Sequence, residues 1–243
     1  MRLLIIRHAD PDYVNDTLTE KGRREAELLA EKLASVPIDS FYVSPLGRAR
    51  DTASMTLERM GRTAEVKDWL MEFPVEINRP DCTDRKRIAW DWLPQDWTNV
   101  PEFFNRKEWL SVPVMKEGNV DIEYEKVIEA FDRLIADHGY VRDGDIYRAV
   151  KPNKDTLAFF CHFGLECVLL SRLMNVSPMI LWHHTCAAPS SVTSLITEER
   201  REGTASFRMN YFGDTSHLIP GNEEPSFSAR FCEVWTDTDS RHD

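Results

Sequence analysis

No apolar run in the 243 residues approaches the ~20 that a membrane-spanning helix needs. The N-terminal run offers four aliphatics, Leu3 to Ile6, after a single Arg. That is too short for the apolar region of a signal peptide. Cysteine is sparse and unpaired in pattern: five residues, at 82, 161, 167, 186 and 232. An odd number at wide spacing suits reduced thiols in a cytoplasmic protein better than a disulfide framework. Positive charge is in deficit, with 30 Lys and Arg against 41 Asp and Glu and a net charge of −11. Nucleic acids and anionic membrane surfaces both reward a basic face, so neither is expected as a partner. A site for an anionic ligand must then be a local pocket made by positioned arginines.

What is present is ordinary for a globular chain: 42% hydrophobic and 29% charged residues, enough length for a substantial core. Residues 2 to 7, "RLLIIR", read as a buried strand because the apolar run is short and ends at turn residues. Thr19 is placed to cap a helix in which Ala26, Leu29, Ala30 and Leu33 recur at helical spacing. "SFYVS" reads as a second strand, followed by the helix "GRARDTASMTLERM" with Gly61 placed to stop it. Residues 64 to 67 read as a third strand. The alternation resumes late, with the strand "DTLAFFCHFG", the helix "LECVLLSRLM" and a hairpin made of "SSVTSLIT" and "ASFRMNYF". This order predicts an α/β fold, a three-layer sandwich with a mostly parallel central sheet between helices.

Residues from about 73 to 155 break the alternation. They hold Trp90, Trp92, Trp97 and Trp109, and an amphipathic helix near 122 to 137. A stretch this aromatic is expected to pack, so residues 1 to 243 are read as one domain carrying an inserted cap. The last twenty residues are polar and are expected to be loosely held.

In an open α/β sheet, ligands sit outside the carboxyl ends of the strands. The first strand ends in Arg7-His8, the second runs into Ser44 and Arg48, and the late strand ends in His162. Glu72 follows the third. Two arginines, two histidines and a carboxylate at one rim suit phosphoryl transfer, which is largely positioning plus electrostatic stabilisation. Each residue alone has an ordinary reading: a hydrogen-bonded imidazole, a solvated helix charge, a surface carboxylate. Their joint placement at strand ends carries the inference. Elsewhere, His183-His184 with Cys186 lacks the paired ligands of a zinc site. Cys161 closes an apolar strand and reads as core. "DRKR" at 84 to 87 reads as a solvated turn, and "AWDWLPQDW" as the core of the insertion.

These elements resemble the histidine phosphatase superfamily, also called phosphoglycerate-mutase-like. "LIIRHADP" is similar to its Arg-His signature, "LTEKGRREAELLAEKL" to its first helix, and "VSPLGRARDTA" to the element that carries the second phosphate arginine, here Arg48. "CHFG" resembles its late His-Gly turn with Phe163 inserted, and "FGDTSHL" a common C-terminal element. The resemblance covers roughly 1 to 72 and 156 to 218. It implies that His8 is the nucleophile, that Arg7, Arg48 and His162 form the phosphate pocket, and that Glu72 is the proton donor. It also implies that no metal or other cofactor is needed. Asn15 or Thr17 is the candidate for the substrate-binding Asn that some relatives carry.

The activity expected is therefore metal-independent hydrolysis of a small phosphomonoester through a phosphohistidine. Many members have Gly-Glu after the histidine where this chain has Ala9-Asp10-Pro11. That departure counts against the first alternative, a phosphoglycerate-type mutase. The second alternative, a non-catalytic module that binds a phosphate ligand, has no need of all five residues.

Overall fold

The computed structural model describes residues 1–82, 84–228 and 230–242. In chain order the elements begin with β1 (Arg2–Arg7), a small hairpin of β2 (Pro11–Asp12) and β3 (Thr17–Leu18), and α1 (Glu20–Leu33). There follow β4 (Ser40–Val43), α2 (Gly47–Met60), β5 (Glu65–Val66), and a second hairpin of β6 (Glu76–Ile77) and β7 (Arg87–Ile88). Short helices α3 (Pro94–Trp97) and α4 (Pro113–Glu117) lead to the long α5 (Val120–Asp137), then β8 (Tyr140–Asp143) and β9 (Ile146–Ala149). The chain closes with β10 (Thr156–Cys161), α6 (Phe163–Met174), α7 (Pro178–His184), β11 (Val192–Arg201) and β12 (Thr204–Asp214).

Eight strands form one sheet in the order β5-β4-β10-β1-β11-β12-β9-β8. The α/β class is as expected, and the sheet is mixed. β5, β4, β10 and β1 pair in parallel, while the β11–β12 hairpin and the β9–β8 hairpin add antiparallel strands on the far side of β1. The two central strands, β1 and β10, are buried along almost their whole length. Such strands read as continuous apolar runs because both faces are covered by helices. Leu4, Ile6, Phe41 and Phe160 pack against α1 and α2 on one face. Leu3, Ile5 and Phe159 face the larger cluster that includes α5 and α6.

Thr19 caps α1 through its side chain, accepting from the N–H of Gly22, and Gly61 ends α2 in the left-handed conformation with φ 62°. The stretch from about 73 to 155 divides into two parts. Its first part is the β6–β7 hairpin and the short helices, packed through Trp92, Trp97, Phe103 and Trp109. Its second part lies with the main body: α5 joins the large core, and β8 and β9 extend the central sheet.

The C-terminal segment departs from the expectation of a loose end. Ser226 N–H donates to Glu25 on α1 at 3.2 Å, and Arg241 pairs with Asp91 at 3.5 Å. Polar composition suggested solvent exposure, but these polar groups are hydrogen-bonding partners of the domain.

Candidate active site

β4, β10 and β1 lie side by side, so their carboxyl ends deliver Ser44, His162 and His8 to one rim. Backbone bonds continue each ladder past its last strand residue: His8 N–H donates to the Cys161 carbonyl at 3.0 Å, and Ser44 N–H to Phe160 at 2.9 Å. The rings of His8 and His162 stand 5.1 Å apart between centroids. Both are essentially buried.

His8 Nδ1 lies 2.8 Å from the Ala9 carbonyl oxygen. A carbonyl only accepts, so Nδ1 carries the hydrogen and Nε2 keeps its lone pair. Burial, then the charge of Arg7, holds the imidazole well below its ordinary pKa. The ring is therefore neutral at pH 7. His162 is depressed in the same way by burial and by His8. Its Nε2 is 2.8 Å from Ser44 Oγ, and Ser44 Oγ accepts from the Leu46 N–H at 3.2 Å. His162 Nδ1 is buried and meets no hydrogen-bond partner among the described residues.

Arg7 is fixed by donation from Nη1 to the Ala187 carbonyl at 2.6 Å, with its guanidinium 5.7 Å from the Phe163 ring centre. Arg48 is fixed by Asp16, whose Oδ1 accepts from Nη1 at 2.6 Å. In both arginines Nε is buried without a hydrogen-bond partner among the described residues. Asp16 was not singled out from the sequence, and it changes the reading of α2. Its Oδ2 accepts from Gly47 N–H at 2.6 Å, so the start of α2 is capped from another segment. Burial opposes ionisation of Asp16, but the Gly47 N–H and Arg48 outweigh it and hold the carboxyl below its ordinary value. Gly47 is the sequence trace of this contact: a Cβ there would stand 2.0 Å from the Asp16 carbonyl oxygen.

Glu72 reaches the same rim. Its Oε1 accepts from its neighbour Phe73 N–H at 2.9 Å and from Leu165 N–H at 3.0 Å at the start of α6. Burial raises its pKa against the pull of the Phe73 N–H and of Arg7. α6 comes this close because residue 164 is glycine; a Cβ would sit 2.7 Å from Glu72 Oε1 and 2.8 Å from Trp90. Glu76, four residues further on, is exposed on the β6–β7 hairpin.

Asn15 and Thr17 are not brought to this cluster. Asn15 Nδ2 donates to Asp12 at 2.7 Å in an exposed turn, and Thr17 donates to Asp51. Asp16, between them, is the residue that turns inward. Tyr13, also missed, lies 5.4 Å from the Arg48 guanidinium and 6.5 Å from His8 between ring centroids. Behind the site, Ser190 holds φ 61°, donates its N–H to the His8 carbonyl at 3.0 Å, and bonds His217 Nε2 through Oγ. Glu166, buried on α6, is pushed up to about 7 by burial. Nothing in their spacing marked these two as neighbours of the site.

Beside the rim, across Phe163, lies a cavity of about 750 Å³. It is bounded by the 79–97 region, the end of α7 and the C-terminal segment. His183, considered for a metal, is occupied structurally: Nδ1 bonds the Met179 carbonyl, Nε2 accepts from Trp92 N–H, and the ring stacks on Trp97 at 4.8 Å.

A mixed sheet between helical layers, with His8 and His162 facing each other among two arginines and a carboxylate, is the histidine phosphatase arrangement. Residues 3–139 match the histidine phosphatase superfamily (branch 1), and the chain belongs to that family. It is 25% identical over 201 residues to an adenosylcobalamin/alpha-ribazole phosphatase of Salmonella typhi, covering 75% of this chain and 84% of the relative. It is 34% identical over 79 residues to a 2,3-bisphosphoglycerate-dependent phosphoglycerate mutase of Thermoplasma acidophilum, 28% of this chain and 40% of that one. Among solved structures, a mutant phosphoserine phosphatase of Entamoeba histolytica in complex with phosphoserine superposes with a TM-score of 0.56 at 19% identity. That likeness covers 89% of this chain and 98% of the other, and it shows the shared fold. No helix among the described residues is long and apolar enough to cross a membrane.

Proposed function

We propose that the protein is a metal-independent phosphatase that hydrolyses a small phosphomonoester through a phosphohistidine at His8. The observation that carries this reading is a set of three buried nitrogens around His8 that meet no hydrogen-bond partner among the described residues: Nε of Arg7, Nε of Arg48 and Nδ1 of His162, the last carrying the hydrogen when Nε2 accepts from Ser44. Buried donors without acceptors cost about 1–3 kcal/mol each, and a phosphoryl group brings the oxygens that satisfy them.

In the first step His8 Nε2 attacks phosphorus and the bond to the ester oxygen breaks. Arg7, Arg48 and His162 hold the equatorial oxygens as charge shifts onto them. The Ser44 hydroxyl donates a hydrogen bond to His162 Nε2, which leaves the hydrogen of that neutral ring on Nδ1, facing the substrate. Glu72, protonated more readily than an ordinary carboxylate, gives its proton to the departing alkoxide. In the second step the same carboxylate takes a proton from water, which attacks phosphorus and releases phosphate and neutral His8. The Ala9 carbonyl keeps the attacking nitrogen fixed throughout.

Turnover of p-nitrophenyl phosphate in the presence of EDTA, by wild-type and His8→Ala protein, tests the reading. Hydrolysis that survives the chelator and disappears in the variant supports it. Full activity in the variant overturns it.

A further inference from the structure

The cavity beyond Phe163 is built from two kinds of side chain, and together they describe what it takes. Its volume of about 750 Å³ falls within the ~300–1,000 Å³ of small-molecule sites. Trp92, Trp97 and Phe163 line one part, and Phe231 of the C-terminal segment lines another. Among the described residues four arginines (79, 87, 230 and 241) and two carboxylates, Asp81 and Asp91, line the cavity, and Arg230 also pairs with Glu233 at 3.7 Å.

The arginines are not equivalent. Arg79 is closed onto Asp81 by two bonds, at 2.9 and 2.5 Å, and donates to the Trp90 carbonyl, so its charge is matched internally. Arg241 holds Asp91 at only 3.5 Å, and its guanidinium lies 4.0 Å from the centre of the Phe231 ring. The C-terminal segment thus delivers a ring and a cation side by side to the cavity wall.

The anchoring of that segment ties it to the reaction centre. Ser226 N–H donates to the buried Glu25 at 3.2 Å, and Ser226 and Ser228 donate to Asp10. Asp10 in turn donates its N–H to Glu25 at 2.9 Å, two residues after His8. The loop that carries the nucleophile and the wall of the cavity are held by one hydrogen-bonded cluster.

We propose that this cavity receives the leaving group of the substrate, and that the group is a planar aromatic ring system bearing a further anionic substituent. The proposal rests on the phosphatase reading above and names the substrate class for it. Phe231 supplies the ring contact and Arg241 the charge contact.

Three phosphomonoesters test it: ribose 5-phosphate, adenosine 5′-monophosphate and adenosine 3′,5′-bisphosphate. The expected kcat/KM rises about tenfold or more from the first to the second, a gain of about 1.4 kcal/mol, and several-fold again to the third. In Phe231→Ala the ratio of the second to the first falls toward one, and in Arg241→Ala the ratio of the third to the second does. Because each readout is a ratio within one protein, a general loss of activity does not mimic it. Equal kcat/KM for all three in wild type, with p-nitrophenyl phosphate still hydrolysed, overturns the cavity assignment and leaves the phosphatase reading standing. If no ester turns over, the phosphatase reading fails by itself. The cavity is then judged by titrating the same three compounds against tryptophan fluorescence: dissociation constants in the same order support it, and equal constants overturn it.

Discussion

His8 Nδ1 and the carbonyl oxygen of its own neighbour Ala9 stand 2.8 Å apart, and this contact selects the tautomer whose Nε2 faces the cluster of arginines. Burial and Arg7 remove the competing protonated form. By NMR, the His8 ring is predicted to show no titration midpoint near 6.5, the ordinary imidazole value. It stays neutral to well below that pH. A midpoint at or above 6.5 would mean that the site is wetter than its packing indicates.

Glu72→Gln keeps an acceptor for the Phe73 and Leu165 N–H groups and removes the transferable proton. The loss in kcat is predicted at about 10²-fold or more on an alkyl phosphate, and markedly smaller on p-nitrophenyl phosphate. The nitrophenolate leaves without protonation, so it does not need the acid. Equal losses on both esters would assign Glu72 to binding instead.

Asp16→Ala frees Arg48 Nη1 and the Gly47 N–H together. Vanadate affinity is expected to fall about tenfold, with Asp16→Asn intermediate, because the amide oxygen retains one of the two contacts. An unchanged affinity would show that Arg48 needs no such support.

Gly164→Ala places a methyl group 2.7 Å from Glu72 Oε1 and 2.8 Å from Trp90. Overpacking of this kind costs about 1–3 kcal/mol, and here it also moves the carboxylate. Thermal unfolding and kcat are predicted to fall together. A variant with wild-type kcat would locate the functional position of Glu72 elsewhere.

His217, buried behind Ser190, is pushed down to about 4 by burial. The unfolded chain takes up this proton first, near 6.5, so the stability it supports is complete above that pH and is lost as pH falls toward 4. By pH 5 the contribution amounts to roughly 2 kcal/mol. His217→Asn keeps a partner for Ser190 and should show a smaller stability loss than wild type between pH 7 and pH 5 in denaturant titrations. Glu25 and Glu166 act with the opposite sign. Each is pushed up to about 7 by burial, so the folded state binds their protons more tightly. Their contribution falls as pH rises toward 7. Both carboxylates are common to wild type and variant, so the difference isolates His217.

The parallel half of the sheet was legible because buried strands and their crossover helices leave strong local periods. Residues 2 to 7 and the caps at Thr19 and Gly61 needed nothing beyond near neighbours. Arg7, His8, Arg48 and His162 were legible because they stand where strands end and helices begin. The structure also brings Glu72 to the rim, through a contact with α6 that its own segment does not announce. What local pattern did not reveal is long-range pairing between short polar residues. Asp16 serves α2 from another segment, and Ser226 meets Asp10 across most of the chain. The hairpin of β8 and β9 likewise has strand character by itself. Only its pairing with β12 shows that it belongs to the main sheet.

The most direct test of the chemistry is to quench wild-type protein during turnover of p-nitrophenyl phosphate without acid and map the product by mass spectrometry. The structure predicts one phosphoryl group, labile to acid and stable to base, on the peptide that contains His8, and none in His8→Ala. A phosphoryl group on any other residue, or turnover with no phosphorylated protein at any quench time, would contradict a phosphohistidine mechanism.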